Sequence, residues 1–165
     1  MTSTNLLQPG DRFPAVPVAV AGDDALLLPD ALAGHYGVVL LFRGAWCPYC
    51  NAQLHAFQRA QERLATLDIR VVALSVDDAE TTARLIAHHG LTFPVGHSAD
   101  PAALHDALGA FVNPEPAHLQ STGFVLDPDG RVLVAVYSSG AIGRLVPDDV
   151  IGLVRYLREH ASAAA

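Results

Sequence analysis

The sequence predicts an α/β domain of three layers built on a mixed β-sheet. Two observations carry the parallel half: short apolar runs rich in β-formers, each followed by a segment with helical periodicity. A third carries the antiparallel half, a hairpin signal in the last third of the chain.

"YGVVLLF" (residues 36–42) is an unbroken apolar run, the pattern of a central strand covered on both faces. The segment after the cysteines, "NAQLHAFQRAQERLATL", spaces Leu54, Phe57, Leu64 and Leu67 along one face of an amphipathic helix. It predicts about four to five turns. "IRVVALSVD" (residues 69–77) is a second buried strand, followed by a helix that Asp78 can cap and Gly90 can end. Pro94 interrupts "LTFPVGHSA", which places that short strand at an edge. "DPAALHDALGAF" predicts a capped helix with Pro101 in its first turn. "STGFVLD", the turn "PDGR" and "VLVAVYSS" form the hairpin. "PDDVIGLVRYLREH" supplies a covering helix, with Val150, Leu153, Val154 and Leu157 on one stripe. The alanine tail, residues 161–165, is expected to fray.

A chain of 165 residues with 51% hydrophobic content suits a single domain over residues 1–165. Its formal charge of −7 argues against nucleic-acid binding, which requires clustered Lys and Arg. No apolar stretch reaches the roughly 18 residues of a membrane span. The N-terminal "MTSTNLLQPGDRFP" lacks the basic and apolar regions of a secretory signal. A cytoplasmic protein is expected.

The chemistry centres on "LFRGAWCPYCNAQL" (residues 41–54), which holds the only two cysteines. If Cys47 caps the following helix, Pro48 falls at the first helical position, where its missing N–H costs nothing. Free N–H groups of that turn then face the Cys47 sulfur and favour its thiolate. Cys47 becomes the accessible nucleophile and Cys50, one turn on, can resolve a mixed disulfide. Trp46 places a large ring beside the sulfur, to shield it or to meet substrate. Two buried structural thiols are the plain alternative, but C-x-x-C between a buried strand and a helix is a redox context. A tetrahedral metal site would need four ligands, and neither His55 nor the adjacent His88 and His89 stands at a metal-ligand spacing. No metal and no cofactor are expected.

"GDRFPAVPV", "VVLLFRGAWCPYCNAQL", "GLTFPVGHSADPAALHDALGAF" and "GFVLDPDGRVL" occur in the order and spacing of the peroxiredoxin family, the alkyl hydroperoxide reductase and thiol-specific antioxidant group. Over about residues 9–157 the chain resembles a protein of that group. The resemblance implies a thioredoxin-like fold, a central mixed β-sheet flanked by helices. It also implies a thiol-dependent peroxidase or thiol–disulfide oxidoreductase in which Cys47 and Cys50 form a redox disulfide. A hydroperoxide or a disulfide would be the substrate, thioredoxin or a low-molecular-weight thiol the reductant, and a homodimer the assembly.

Aligned on "CNAQL", Cys50 takes the family's peroxide-attacking position, Cys47 the place of its Thr or Ser, and Gln53 that of its Glu. Thioredoxin-like W-C-x-x-C proteins instead use the first cysteine, here Cys47. The two families nominate different nucleophiles. Peroxiredoxins carry an Arg three residues before the Phe of the "GFVLD" strand, and thioredoxins a cis-Pro near it; here the position is Ser121. Arg43 is the cation nearest the cysteines in sequence, as a thiolate partner or simply a side chain laid along a strand end. In "SSGAIGRL", Gly140 and Gly143 would allow close backbone approach and Arg144 would meet an anion, or the segment is an ordinary glycine loop. The absent Arg and cis-Pro leave one alternative of another class, a redox-inactive binding or metal-carrying module.

Overall fold

A computed structural model describes residues 6–22 and 24–164. Residues 1–5 of the N-terminal segment and Ala165 of the alanine tail lie outside the described residues.

The chain begins with an antiparallel hairpin that the sequence reading did not include, β1 (Val16–Ala19) with β2 (Ala25–Leu28). A 3-10 turn (Asp30–Leu32) leads to β3 (Tyr36–Leu41), then to helices α1 (Pro48–Arg59) and α2 (Gln61–Thr66). Next come β4 (Ile69–Leu74), α3 (Ala79–His89), the two-residue β5 (Val95–Gly96) and α4 (Pro101–Leu108). A second small hairpin, β6 (Val112–Pro114) with β7 (Ala117–Leu119), precedes β8 (Thr122–Leu126), β9 (Val132–Tyr137) and α5 (Pro147–Ala164).

Five strands make the central sheet in the order β5-β4-β3-β8-β9. β3, β4 and β5 run parallel, whereas β8 and β9 are antiparallel additions, so the sheet is mixed as predicted. β5 lies at the edge, consistent with Pro94. β3 is central and its residues from Val38 to Leu41 are buried. Val38 and Leu40 enter one core with Leu54, Phe57, Leu85 and Val154; Val39 and Leu41 enter the other with Leu104, Leu108 and Phe124. Alternation along one strand thus joins two helical layers through the sheet. This is the thioredoxin-like architecture.

The expected elements hold, with three changes. The long helix breaks at Ala60, whose N–H is shared between the carbonyls of Ala56 and Phe57, while the Gln61 side chain also donates to Phe57 O. Those contacts replace the regular ladder for one residue. The second strand ends at Leu74, because Ser75 to Asp77 turn away and the Asp77 N–H bonds Ser75 Oγ at 3.2 Å. Finally, α5 continues to Ala164, into the tail expected to fray. Val150 and Val154 are buried on its stripe, Leu153 and Leu157 half-buried, and Ile151 joins them.

The topology brings separate loops to one end of the sheet. Leu41 at the end of β3 pairs with Thr122 at the start of β8, and Thr122 pairs with Tyr137 at the end of β9. Residues 42–47, 120–121 and 138–146 therefore gather there.

Candidate active site

The dithiol sits where β3 hands over to α1. Beyond Leu41 the chain stays with the sheet for one more residue, Phe42 N–H donating to Leu74 O, and then turns. Asp77 steadies the turn by accepting from the Ala45 N–H at 2.8 Å. Cys47 has an extended backbone and caps α1; Pro48 is the first helical residue. The Cys47 sulfur accepts from the Cys50 N–H at 3.4 Å, the capping geometry expected from the sequence. Both thiols are free and buried, and this corrects the expectation of an accessible Cys47: packing at the start of α1 covers its sulfur as fully as that of Cys50.

Two guanidinium groups reach the sulfurs. Arg43 places Nη1 3.7 Å from Cys47 Sγ, and its Nε donates to Gln120 Oε1 at 3.0 Å. Arg144 places Nη2 3.7 Å from Cys47 Sγ and 3.2 Å from Cys50 Sγ. The Arg43 backbone N–H also donates to Cys50 Sγ, at 3.3 Å. Arg144 is held in turn by Gln53 Oε1 at 2.9 Å and by Ala141 O at 2.9 Å, while Gln53 donates to Leu145 O. Gln53, in the family's Glu place, is thus the residue that fixes Arg144. A carboxamide holds the guanidinium without neutralising it.

The two sulfurs differ in proton affinity. Burial pushes the Cys47 thiol up, but hydrogen bonds from the Cys50 side chain, the Cys50 N–H and Arg43, with attraction to Arg144, outweigh it and hold Cys47 below the ordinary thiol value. Burial raises Cys50, and its hydrogen bond to Cys47 raises it further; the Arg43 N–H and Arg144 only partly offset this. Of the pair, Cys47 is therefore the sulfur that gives up its proton more readily and Cys50 the one that holds it.

Trp46 is 56% exposed and flanks the site. Its ring packs between the Arg43 guanidinium, 4.8 Å from the centroid, and the His118 ring, edge-on at 5.1 Å. Pro48 and Tyr49 are exposed beside it. Ser121 is buried at the same sheet end and makes no hydrogen bond to either sulfur; its carbonyl accepts from Ser138 N–H. Arg144 instead brings the second positive charge, from the loop after β9. Of the two loop glycines, Gly143 has φ +84, whereas a Cβ on Gly140 would meet open space, so Gly140 makes no close approach.

Sequence reasoning missed two neighbours. Gln120 orients Arg43, and His118 lines the wall through Trp46. His118 Nδ1 bonds Pro116 O at 3.0 Å, while its buried Nε2 has no partner. A buried acceptor left so costs about 1–3 kcal/mol. On the far side of Pro48, His55, His88 and His89 lie near one another, and His89 bonds Asn51 at 3.1 Å. Among the described residues no three His, Cys, Asp or Glu side chains are grouped to hold a metal ion.

A thioredoxin-like sheet that ends in a buried C-x-x-C pair under two arginines defines a thiol oxidoreductase. Residues 9–135 match the AhpC/TSA family, and the chain belongs to that family. It is 32% identical over 151 residues to a Mycobacterium tuberculosis protein with a provisional peroxiredoxin name, covering 88% of this chain and 94% of that one. A peroxiredoxin of Methanothermobacter thermautotrophicus is 28% identical over 155 residues, which is 90% of this chain and 72% of that protein. Among solved structures, peroxiredoxin 6 of Arenicola marina superposes with a TM-score of 0.79 at 16% identity, over 94% of this chain and 75% of that one. The protein is a thiol-dependent peroxidase of thioredoxin fold.

Proposed function

We propose that residues 1–165 act as one domain that reduces hydroperoxides with the Cys47–Cys50 dithiol, and that Cys47 attacks first. The thiolate bonds to the terminal peroxide oxygen, the O–O bond breaks, and Cys47 becomes a sulfenic acid. The Cys50 thiol then displaces water to close the Cys47–Cys50 disulfide. Arg43 and Arg144 stabilise the thiolate and can meet the negative charge that develops on the leaving oxygen. An external thiol, thioredoxin or a low-molecular-weight one, restores the dithiol.

The observation that carries this reading is the inequality of the two sulfurs: Cys47 accepts hydrogen bonds from Cys50, Arg43 and Arg144 and is held below the ordinary thiol value, whereas burial and the bond to Cys47 push the Cys50 thiol up. The burial of both thiols favours a hydroperoxide over a bulky disulfide as oxidant. A second reading makes Cys50 the nucleophile, on the strength of its shorter 3.2 Å contact with Arg144. Trapping with dimedone after one equivalent of hydrogen peroxide separates them. The proposal expects a sulfenic-acid adduct on Cys47 in Cys50→Ser and none in Cys47→Ser. An adduct confined to Cys47→Ser assigns the attack to Cys50.

A further inference from the structure

The two guanidinium groups at the dithiol have no carboxylate to balance them. Among the described residues the ion pairs are His35–Asp68, Arg63–Asp148 and Arg84–Glu80, and neither Arg43 nor Arg144 takes part in one. Their anchors are neutral: Gln120 for Arg43, Gln53 and Ala141 O for Arg144. The counter-charge in reach is a Cys47 thiolate, and closing the disulfide removes it. The two arginines also differ in the donors they have left. Arg144 directs Nε, Nη1 and Nη2 to Ala141 O, Gln53 Oε1 and the sulfurs. Arg43 uses Nε and Nη1, and its Nη2 makes no hydrogen bond within the described residues. That atom is not buried: the buried polar side-chain atoms without a partner among the described residues are Thr82 Oγ1 and His118 Nε2. Arg43 Nη2 is therefore an open donor that solvent reaches, on the guanidinium whose Nη1 lies 3.7 Å from Cys47 Sγ. The exposed Trp46 ring, its centroid 4.8 Å from the same guanidinium, walls the approach.

We propose that Arg43 Nη2 binds the carboxylate of a small thiol once the pair is a disulfide, so that the reductant regenerating the site is an anionic low-molecular-weight thiol. The inference rests on the dithiol reading above and gives its recycling step a substrate class. A carboxylate only accepts, and it matches a guanidinium donor with a charge-assisted bond. Arg144, whose Nη2 lies 3.7 Å from the same Cys47 sulfur, adds attraction from behind. The covered sulfurs favour a thiol with a short body over the broad surface of a protein reductant. Nη1 and Nη2 share one carbon, so a thiol a few bonds from the bound carboxylate comes within reach of Cys47 Sγ. The reductant thiolate attacks one sulfur of the Cys47–Cys50 bond, that bond breaks, and the other cysteine leaves as a thiolate and takes a proton. A second reductant thiolate attacks the reductant's own sulfur in the mixed disulfide and releases the remaining cysteine. Two reductant thiols are oxidised to one disulfide, and their two electrons and two protons restore the dithiol.

The test starts from full-length protein oxidised with diamide, so that no peroxide is needed, and reduces it with three thiols of similar size: 3-mercaptopropionate, 2-mercaptoethanol and cysteamine, an anion, a neutral molecule and a cation. Each rate is divided by that thiol's rate on hydroxyethyl disulfide, which cancels differences in thiolate fraction and nucleophilicity. The proposal expects the ratio for mercaptopropionate to exceed that for cysteamine by about tenfold or more, with mercaptoethanol between them. Arg43→Gln should bring the three within about threefold, whereas Arg43→Lys, which keeps the charge, should retain most of the spread. Circular dichroism checks that both variants fold. In unmutated protein, excess propionate at fixed ionic strength should slow mercaptopropionate and not cysteamine, a result independent of the variants. Equal ratios for the three thiols, or an unchanged spread in folded Arg43→Gln, overturn the proposal. Propionate that slows all three thiols alike makes the site one for a free carboxylate and overturns the assignment to the reductant. Diamide-treated protein without a Cys47–Cys50 disulfide overturns the dithiol reading itself.

Discussion

At the scale of residues, two chemically identical thiols three positions apart are made unequal by what surrounds them. Cys47 accepts from an N–H of its own helix and from two guanidinium groups, whereas Cys50 donates to Cys47. Replacing Arg144 with Met keeps the stem and removes the charge. Loss of a charge-assisted hydrogen bond predicts a fall of about ten- to hundredfold in the peroxide rate. The alkylation midpoint of Cys47 should move to higher pH, as a pH series of iodoacetamide rates would record. Linkage supplies a second prediction. Between the lowered Cys47 value and the ordinary thiol value, the unfolded chain binds more protons than the folded one, so stability of the reduced protein rises with pH. Between the ordinary value and the raised Cys50 value the sign reverses and stability falls. Thermal unfolding of reduced protein against the Cys47→Ser/Cys50→Ser double variant checks both limbs, and a difference flat in pH contradicts them. The cysteines and the Pro48 start were legible because cap, proline and dithiol are contiguous in sequence. Arg144 was visible only as a loop cation that could meet an anion, since 97 residues separate it from Cys47. His118 gave no signal: nothing in "EPAHLQ" shows that the ring packs on Trp46.

Elements set how firmly these groups are held. The loop between β9 and α5 presents Arg144 through one glycine with a left-handed backbone, Gly143 at φ +84. Gly143→Ala forces a side chain into a conformation that L-residues rarely adopt, at a cost of about 1 kcal/mol or more if the loop does not move. A loop that shifts to relieve this strain takes Arg144 off the sulfurs. The expected outcome is a peroxide rate lowered about tenfold with little change in thermal stability, whereas Gly140→Ala, facing open space, should match the unmutated protein. Stopped-flow kinetics and circular dichroism on the two variants distinguish the positions. Helices α3 and α4 were readable because Asp78 and Asp100 cap them and Gly90 and Gly109 end them in left-handed conformation. The break at Ala60 was hidden, because it depends on the Gln61 amide reaching back to Phe57 O rather than on any Gly or Pro. The hairpins β1–β2 and β6–β7 were hidden for another reason. Their strands are four and three residues long, too short for alternation to show.

Across the whole molecule, function follows from strand order. β3 between β4 and β8 is buried on both faces, which makes it the rigid support from which Arg43 and the dithiol emerge. Antiparallel β8 and β9 return the chain so that Gln120 and the Arg144 loop leave the sheet at that same end. The apolar runs of β3 and β4 and the 126–132 turn made the mixed sheet predictable, but register alone decides which loops meet. Thr122 opposite both Leu41 and Tyr137 is the pairing that completes the site. In the proposed function the assembled end of the sheet has one central task, to make a buried thiolate react with peroxide. Its most direct test is stopped-flow oxidation of the reduced, unmutated chain by hydrogen peroxide, read through the single tryptophan, Trp46, which lies next to Cys47. The expected result is a second-order rate orders of magnitude above that of free cysteine, ending in loss of both thiols as one intramolecular disulfide. Oxidation no faster than free cysteine, with Cys47 and Cys50 still alkylatable, would contradict it.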